Sequence, residues 1–337
     1  MRLNLTSFLI PPPIKPFLEG LIFSGLLWPT LPAIAQGTPP IPSETPTLQA
    51  IIHLTTLKVP PPTVQGQGTL KLTPLLDGIA WTTPGRMGDR WGKFLVDTGA
   101  SRSLISEDFL KGTGLTGKPL PASETQYAFA GQDCPAPTAR LFSLNLQFDQ
   151  AKIKQLQAVQ LSQALIPAGL DGVIGMDVLD RFAFTLDPQK QELQLRPPTA
   201  PTPTSPAIPL VRRRGVAIAE VWLNQQGPFQ FLIDTGAEST FISPQIAQRL
   251  QIPAAQLQAI DVEGFCGLES AQFTQLQSVT MGGQTIKPLE VIILNNTKVL
   301  DVLEIDGIIG QNFLNHFQQY WHFDPSSATG RLWLTPY

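Results

Sequence analysis

Phe94-Leu95-Val96-Asp97-Thr98-Gly99-Ala100-Ser101-Arg102-Ser103-Leu104-Ile105-Ser106 aligns without a gap on Phe231-Leu232-Ile233-Asp234-Thr235-Gly236-Ala237-Glu238-Ser239-Thr240-Phe241-Ile242-Ser243, and eight of the thirteen positions are identical. The offset, from Asp97 to Asp234, is 137 residues. A second pair recurs at nearly the same spacing, Asp171-Gly172-Val173-Ile174-Gly175 against Asp306-Gly307-Ile308-Ile309-Gly310, 135 residues apart. A short amphipathic stretch follows each, Met176-Asp177-Val178-Leu179 and Gln311-Asn312-Phe313-Leu314. Each copy then closes on an apolar-Asp-Pro turn, Leu186-Asp187-Pro188 and Phe323-Asp324-Pro325. Self-similarity sustained over this length marks one folding unit present twice.

Both copies are β-rich. Val216–Leu223 and Phe229–Ile233 are apolar runs that bracket Asn224-Gln225-Gln226-Gly227, a hairpin signal. Leu141–Phe148, Ile153–Leu161, Gln275–Met281 and Pro288–Leu294 read as further strands. Ser106 before Glu107-Asp108, and Ser243 before Pro244, read as helix N-caps. The expected fold is all-β in two similar lobes, with one or two short helices in each.

Proline outlines the rest of the organisation. Of 33 prolines, thirteen lie in residues 1–62 and six in 197–209, so the remaining chain has an ordinary share. Pro197-Pro198-Thr199-Ala200-Pro201-Thr202-Pro203-Thr204-Ser205-Pro206 should be extended and semi-rigid, a linker between the copies. The expected division is a leader over 1–35, a Pro-rich linker or short pro-region over 36–47, lobes over 48–196 and 208–337, and the linker at 197–207.

The leader reads as an export signal. Arg2 and Lys15 precede the apolar run Phe17–Trp28, and Ala33-Ile34-Ala35 supplies an A-x-A end for cleavage after Ala35. Twelve residues fall short of the roughly 20 needed to span a bilayer, so membrane contact is expected only through this segment if it stays uncleaved. The expected location is periplasmic or secreted, in a bacterial source.

Composition excludes several functions. Charged residues make up 15% of the 337-residue chain and hydrophobic residues 42%, too apolar for a mainly disordered protein. A net charge of −3, from 23 Lys+Arg and 26 Asp+Glu, gives no electrostatic case for nucleic acid. Two Cys and three His cannot build a zinc module, and neither metal nor organic cofactor is expected.

The paired motif resembles a known family. Apolar-apolar-Asp-Thr-Gly-Ala, followed about 70 residues later by apolar-apolar-Gly and a short helix, is similar to the retropepsin branch of the aspartic proteases. The resemblance covers both lobes. It implies two retropepsin-like β-barrel lobes related by a pseudo-twofold axis, with one chain carrying both halves of a site. A monomer is therefore expected, with an extended polypeptide as substrate.

The chemistry follows from bringing two carboxyls together. Two Asp side chains within hydrogen-bonding reach cannot both ionise easily, so they share a proton and can activate a water between them. Asp97 and Asp234 are the expected catalytic pair. Gly99 and Gly236 allow a tight turn that brings N–H groups near the carboxylates. The resemblance gives Thr98 and Thr235 crossing hydroxyl-to-backbone bonds between lobes. Ala100 and Ala237 stand where pepsin-like enzymes usually have Ser, which by analogy moves the working range towards weakly acidic or neutral pH. Ser101-Arg102 against Glu238-Ser239 leaves a charge beside one half-site and makes the cleft asymmetric. Asp171, Asp187, Asp306 and Asp324 read as turn formers, and Arg212-Arg213-Arg214 as a solvated lead-in strand.

By position, the flaps over the substrate should be residues 127–134, with Tyr127, Phe129 and Gly131, and residues 261–267, with Gly264, Phe265 and Gly267. Cys134 and Cys266 fall at the two flap tips, where an exported chain can join them in a disulfide or leave two thiols. The function expected is an exported aspartic endopeptidase. The alternative is a catalytically inactive peptide- or protein-binding module on the same fold.

Overall fold

The computed structural model describes residues 48–50, 54, 57–75, 78–120, 139–161, 169–200, 202–264, 267–324 and 326–337. The leader, the first expected flap and both cysteines lie outside the described residues. Among those described, no helix is long and apolar enough to cross a membrane.

The first lobe is built on a closed ring of strands. Ala151–Leu161 pairs with Leu104–Ser106, which pairs with Gly172–Ile174, then Arg90–Val96, Trp81–Met87 and Arg140–Phe148, and this last strand returns to Ala151–Leu161. Burial explains the local sequence. Arg140–Phe148 turns Phe142, Leu144, Leu146 and Phe148 inward at every second position, as a half-buried strand must. Closing the ring leaves few exposed edges.

The second lobe repeats the order. Gln226–Ile233 lies between Val216–Leu223 and Gly307–Ile309, and Thr240–Ile242 lies between Gly307–Ile309 and Leu289–Leu294. The hairpin predicted at Asn224 turns on two residues, Asn224 and Gln225, both at positive φ (48° and 66°). That geometry matches the twist of the flanking strands. Ser106 and Ser243 cap the helices Glu107–Leu110 and Pro244–Arg249, accepting from Phe109 N at 3.0 Å and Ile246 N at 3.2 Å. Met176–Leu179 and Gln311–Leu314 are the short helices after the two glycines, and the second lobe has a further one, Lys298–Leu303.

One expected strand is divided. Gln275–Met281 comprises the end of Gly267–Leu276 and all of Val279–Met281, with a bend between. The bend closes on the Asn224 turn: Asn224 N donates to Ser278 O at 2.8 Å, and Ser278 N donates to Asn224 Oδ1 at 3.1 Å. This tertiary pairing outweighs the run's strand propensity.

Six consecutive strands of one larger sheet join the lobes, in the order Ile208–Arg213, Thr329–Pro336, Phe317–Phe323, Ala183–Asp187, Glu192–Arg196, Gly68–Lys71. Three strands come from each lobe, and the junction is antiparallel with Thr185 opposite Tyr320. At the junction Phe184 faces Trp321, stacked at 5.5 Å, and both are fully buried. Burying two such rings contributes about 1.5–3 kcal/mol each, so this seam fixes the lobes against each other.

The first described strand, Leu48–Ala50, runs parallel to Gln258–Gly264 in the second lobe, with Leu48 opposite Glu263 and Ala50 opposite Gly264. The sequence places residue 48 at the start of the first lobe, so here the pairing crosses between lobes. Local pattern could not reveal this, because the partner strand lies some two hundred residues away. Arg212 also departs from a solvated strand: it forms an ion pair with Asp180 of the first lobe.

Candidate active site

Each Asp-Thr-Gly-Ala begins where a buried strand ends. Phe94, Leu95 and Val96, like Phe231, Leu232 and Ile233, are fully buried, and they deliver Asp97 and Asp234 to the junction between lobes. Each strand is held by the second motif of its own repeat, Arg90–Val96 by Gly172–Ile174 and Gln226–Ile233 by Gly307–Ile309, both parallel. The same motifs close the loops above: Asp97 N donates to Ile174 O at 3.0 Å and Asp234 N to Ile309 O at 2.9 Å.

The threonines lock the two loops to each other. Thr98 Oγ1 donates to Ile233 O at 2.7 Å and accepts from Thr235 N at 3.0 Å. Thr235 Oγ1 donates to Val96 O at 2.7 Å and accepts from Thr98 N at 3.0 Å. All of these groups are buried, so each bond also prevents an unsatisfied polar group.

The glycines are required by the opposing lobe as much as by the turn. A Cβ on Gly99 would overlap the carboxyl of Asp234, and one on Gly236 would stand 2.6 Å from Asp97 Cγ. The two carboxyls therefore face each other across a surface with no side chains. Asp97 Oδ1 accepts from Gly99 N at 2.7 Å and Ala100 N at 3.0 Å, and Asp234 Oδ1 accepts from Gly236 N at 2.8 Å. Oδ2 of each is buried without a hydrogen bond to the described protein.

Both carboxyls are held above the usual carboxylate range. Burial, then the neighbouring Asp234 carboxylate, holds the Asp97 pKa well above the usual carboxylate range. Burial raises Asp234 to about 7, against N–H groups that favour its ionised form. Two desolvated carboxyls in contact keep a proton between them, and it titrates with the pair as a unit.

Of the residues singled out in the sequence, Asp97, Thr98, Gly99, Ala100, Asp234, Thr235, Gly236 and Ala237 are brought together here. Gly264 and Gly267 face each other at the end of the hairpin formed by Gln258–Gly264 and Gly267–Leu276. Tyr127, Phe129, Gly131, Cys134, Phe265 and Cys266 lie outside the described residues. Asp171 and Asp306 are structural: their carboxylates accept from Lys93 N and Gln230 N, both at 2.8 Å.

Sequence reasoning missed the support of these loops. Ser103 Oγ donates to Asp177 Oδ1 at 2.7 Å, and Thr240 Oγ1 to Asn312 Oδ1 at the same distance. The signal was available, since each pair occupies matching positions in the repeats. Glu238 is the charge expected beside one half-site only. It accepts from Ile79 N at 3.1 Å, which ties the second lobe's loop to the first lobe. Trp81 Nε1 donating to Asn315 Oδ1 at 2.7 Å adds a second tie.

The sequence profile of the aspartyl proteases matches residues 83–178 and 219–313, one Asp-Thr-Gly-Ala loop in each. No curated protein matches the chain. Among solved structures, the chain is similar to a retropepsin-like aspartic protease from Rickettsia conorii, at 21% identity over 38% of this chain and 89% of that one, with a TM-score of 0.29. With two matched repeats covering more than half of its length, each contributing one carboxyl to a shared buried pair, this chain belongs to the aspartyl protease family.

Proposed function

We propose that the protein is an exported aspartic endopeptidase that hydrolyses peptide bonds with a water activated between Asp97 and Asp234. One observation carries the reading: two buried carboxyls, one from each repeat, face each other with their pKa values raised and Oδ2 of each free of protein bonds. With one proton on the pair, the ionised carboxyl takes a proton from water as its oxygen bonds to the scissile carbonyl carbon. The protonated carboxyl donates to the carbonyl oxygen, giving a neutral tetrahedral diol. Collapse breaks the C–N bond as the amine nitrogen takes the proton from one carboxyl and a diol hydroxyl gives its proton to the other, which leaves the pair singly protonated.

An extended polypeptide suits a cleft closed by strands, since it can add its backbone to an exposed edge. The basic, apolar and A-x-A succession of residues 1–35 supports export. N-terminal sequencing of the protein from its host tests that part, and a mature chain beginning at Gln36 is expected.

The catalytic part is tested with the full chain on an unfolded protein substrate between pH 3 and 8, beside Asp97→Asn and Asp234→Asn. Cleavage by the parent and none by either variant is expected. Equal cleavage by all three would overturn the pair's role. Substrate binding with no cleavage by the parent would support a binding module instead.

A further inference from the structure

The helices that follow the two catalytic loops in space support them differently. Met176 and Gln311 open these helices, and each backbone N–H donates to its own loop, Met176 N to Ala100 O and Gln311 N to Ala237 O, both at 2.8 Å. Both side chains are buried. Their chemistry is not the same. Gln311 Nε2 donates to Thr235 O at 2.9 Å, whereas the Met176 thioether has no hydrogen to give the Thr98–Gly99 peptide. The amide can face Thr235 only this way round, because the reverse would set two acceptors against each other. Gln311 Oε1 is buried without a hydrogen bond to the described protein. A buried amide with one acceptor unpaired is a poor device for stability, and the first lobe packs a methionine in the equivalent place.

Thr235 O and Gly236 N belong to one planar peptide unit. Its N–H donates to Asp234 Oδ1 at 2.8 Å, so the bonds run from Gln311 Nε2 through this peptide to the carboxyl. A hydrogen bond accepted at the carbonyl draws electron density from the nitrogen and strengthens the N–H as a donor, by roughly 10–30%. The matching bond in the first lobe, Gly99 N to Asp97 Oδ1 at 2.7 Å, has the thioether in place of that amide. The N–H groups of Ala237 and Gly99 also favour the ionised form of Asp234. Asp97 is the titratable group facing it, and Glu238 in the same loop turns its carboxylate to Ile79 N.

We infer that Gln311 is a positioning residue for the reaction: through the Thr235–Gly236 peptide it favours ionised Asp234, which makes Asp234 the base that takes the proton of water and Asp97 the acid that protonates the scissile carbonyl oxygen. The inference rests on the endopeptidase reading for these two roles and deepens it by assigning them. The effect of Gln311 on the resting pair does not depend on turnover. Without the amide, ionised Asp234 loses part of its support, so the pair gives up its first proton at a higher pH.

The test follows both carboxyls in the full chain, labelled with 13C at the aspartate carboxyls, by NMR from pH 4 to 9. Asp97→Asn and Asp234→Asn assign the two resonances. In the parent, the larger change in chemical shift at the first ionisation should fall on Asp234. Gln311→Met, which installs the residue of the first repeat, should raise that first step by about 0.2–0.6 in pH. Gln311→Met combined with Met176→Gln should move the larger change to Asp97. A larger change on Asp97 in the parent, or a first step left in place by Gln311→Met, would overturn the inference. If Gln311→Met lacks a cooperative melt, Met176→Gln alone decides: it should bring the two resonances closer in their response to the first step, and a titration identical to the parent's would overturn the inference. The acid limb of kcat/KM on an unfolded protein substrate should move with the first step. Cleavage by the parent with limb and resonances unmoved by Gln311→Met would leave the protease standing and remove only the role of Gln311. The expected titrations without cleavage by the parent would keep the action of Gln311 on the pair and remove the protease.

Discussion

Thr98 and Thr235 exchange equivalent hydrogen bonds, each hydroxyl accepting from the other's backbone N–H at 3.0 Å and donating at 2.7 Å to the last carbonyl of the strand that precedes the other threonine. Thr98→Val keeps the shape and removes the hydroxyl. It leaves Ile233 O and Thr235 N, both buried, without those partners, at about 1–3 kcal/mol each. Thermal unfolding should show a midpoint several degrees lower, and peptide hydrolysis should fall because the loops no longer hold the carboxyls in register. Thr98→Ser should restore most of both. A Thr98→Val protein as stable as the parent would show that the crossing bonds carry no net energy.

The carboxyl pair should make stability depend on pH with a definite sign. The Asp234 carboxyl rises from an ordinary value of 3.8 to about 7 on burial, so between these values the folded state binds more protons than the unfolded state. Stability contributed by this group is complete below about pH 4 and is lost as pH rises towards 7. Asp234→Asn removes that loss and can still accept from Gly236 N. The variant should match the parent in denaturant unfolding at pH 4 and exceed it at pH 7 by a few kcal/mol, at roughly 1.4 kcal/mol per pKa unit. It should also be inactive. Activity of the parent should extend to near-neutral pH and fall on the alkaline side as the last shared proton leaves. A variant whose advantage did not grow with pH would contradict the assigned burial effect.

The site was legible in the sequence where function demands contiguous residue types. Asp, Thr and Gly serve the pair, the crossing bonds and the close approach of two loops, so all three must stand together in both copies. The duplication gave the lobes for the same reason. What escaped depends on partners far apart in the chain. The bend at Ser278 exists because Asn224 captures it, and Arg212 faces Asp180 only after the lobes dock. The strand Leu48–Ala50 is likewise defined by Gln258–Gly264, and no local periodicity announces a pairing across lobes.

The repeat itself proposes a substitution. Asp177 and Asn312 hold Ser103 and Thr240 in the same way, yet only Asp177 is ionisable. Burial raises Asp177 from 3.8 to about 6 despite hydrogen bonds from Ser103 and the charge of Arg102. Its folded value is again above its unfolded one, so its contribution is present below about pH 4 and lost as pH rises to 6. Asp177→Asn copies the second lobe and keeps an acceptor for Ser103 Oγ. It should be as stable as the parent at pH 4 and more stable at pH 7, with activity retained. Asn312→Asp should do the reverse, losing stability as pH rises. Two unfolding series from pH 4 to 7 check both, and parallel curves for parent and Asp177→Asn would refute the claim.

Arg212 offers a test of how the lobes are held. Its guanidinium pairs with Asp180 and donates to Ser327 O at 2.7 Å, while Asp180 is also reached by Arg181 at 3.3 Å. The Asp180 carboxylate is 10% exposed and its pKa is raised by burial. Arg212→Met retains much of the stem's packing and strips away the closer of two charges. Removing one partner of a buried pair costs about 3–5 kcal/mol when nothing else compensates; with Arg181 present, about 1–3 kcal/mol is expected. The cost should shrink at low pH, where Asp180 is protonated in both proteins and needs no partner. Asp180→Asn added to Arg212→Met should recover part of the loss at pH 7, because the uncompensated charge is gone. A double-mutant cycle in denaturant measures this coupling directly. Strict additivity of the two substitutions would mean that the pair contributes nothing to docking the lobes, leaving it to the shared strands, the Phe184–Trp321 seam and the hydrogen bonds of Thr98, Thr235, Glu238 and Trp81.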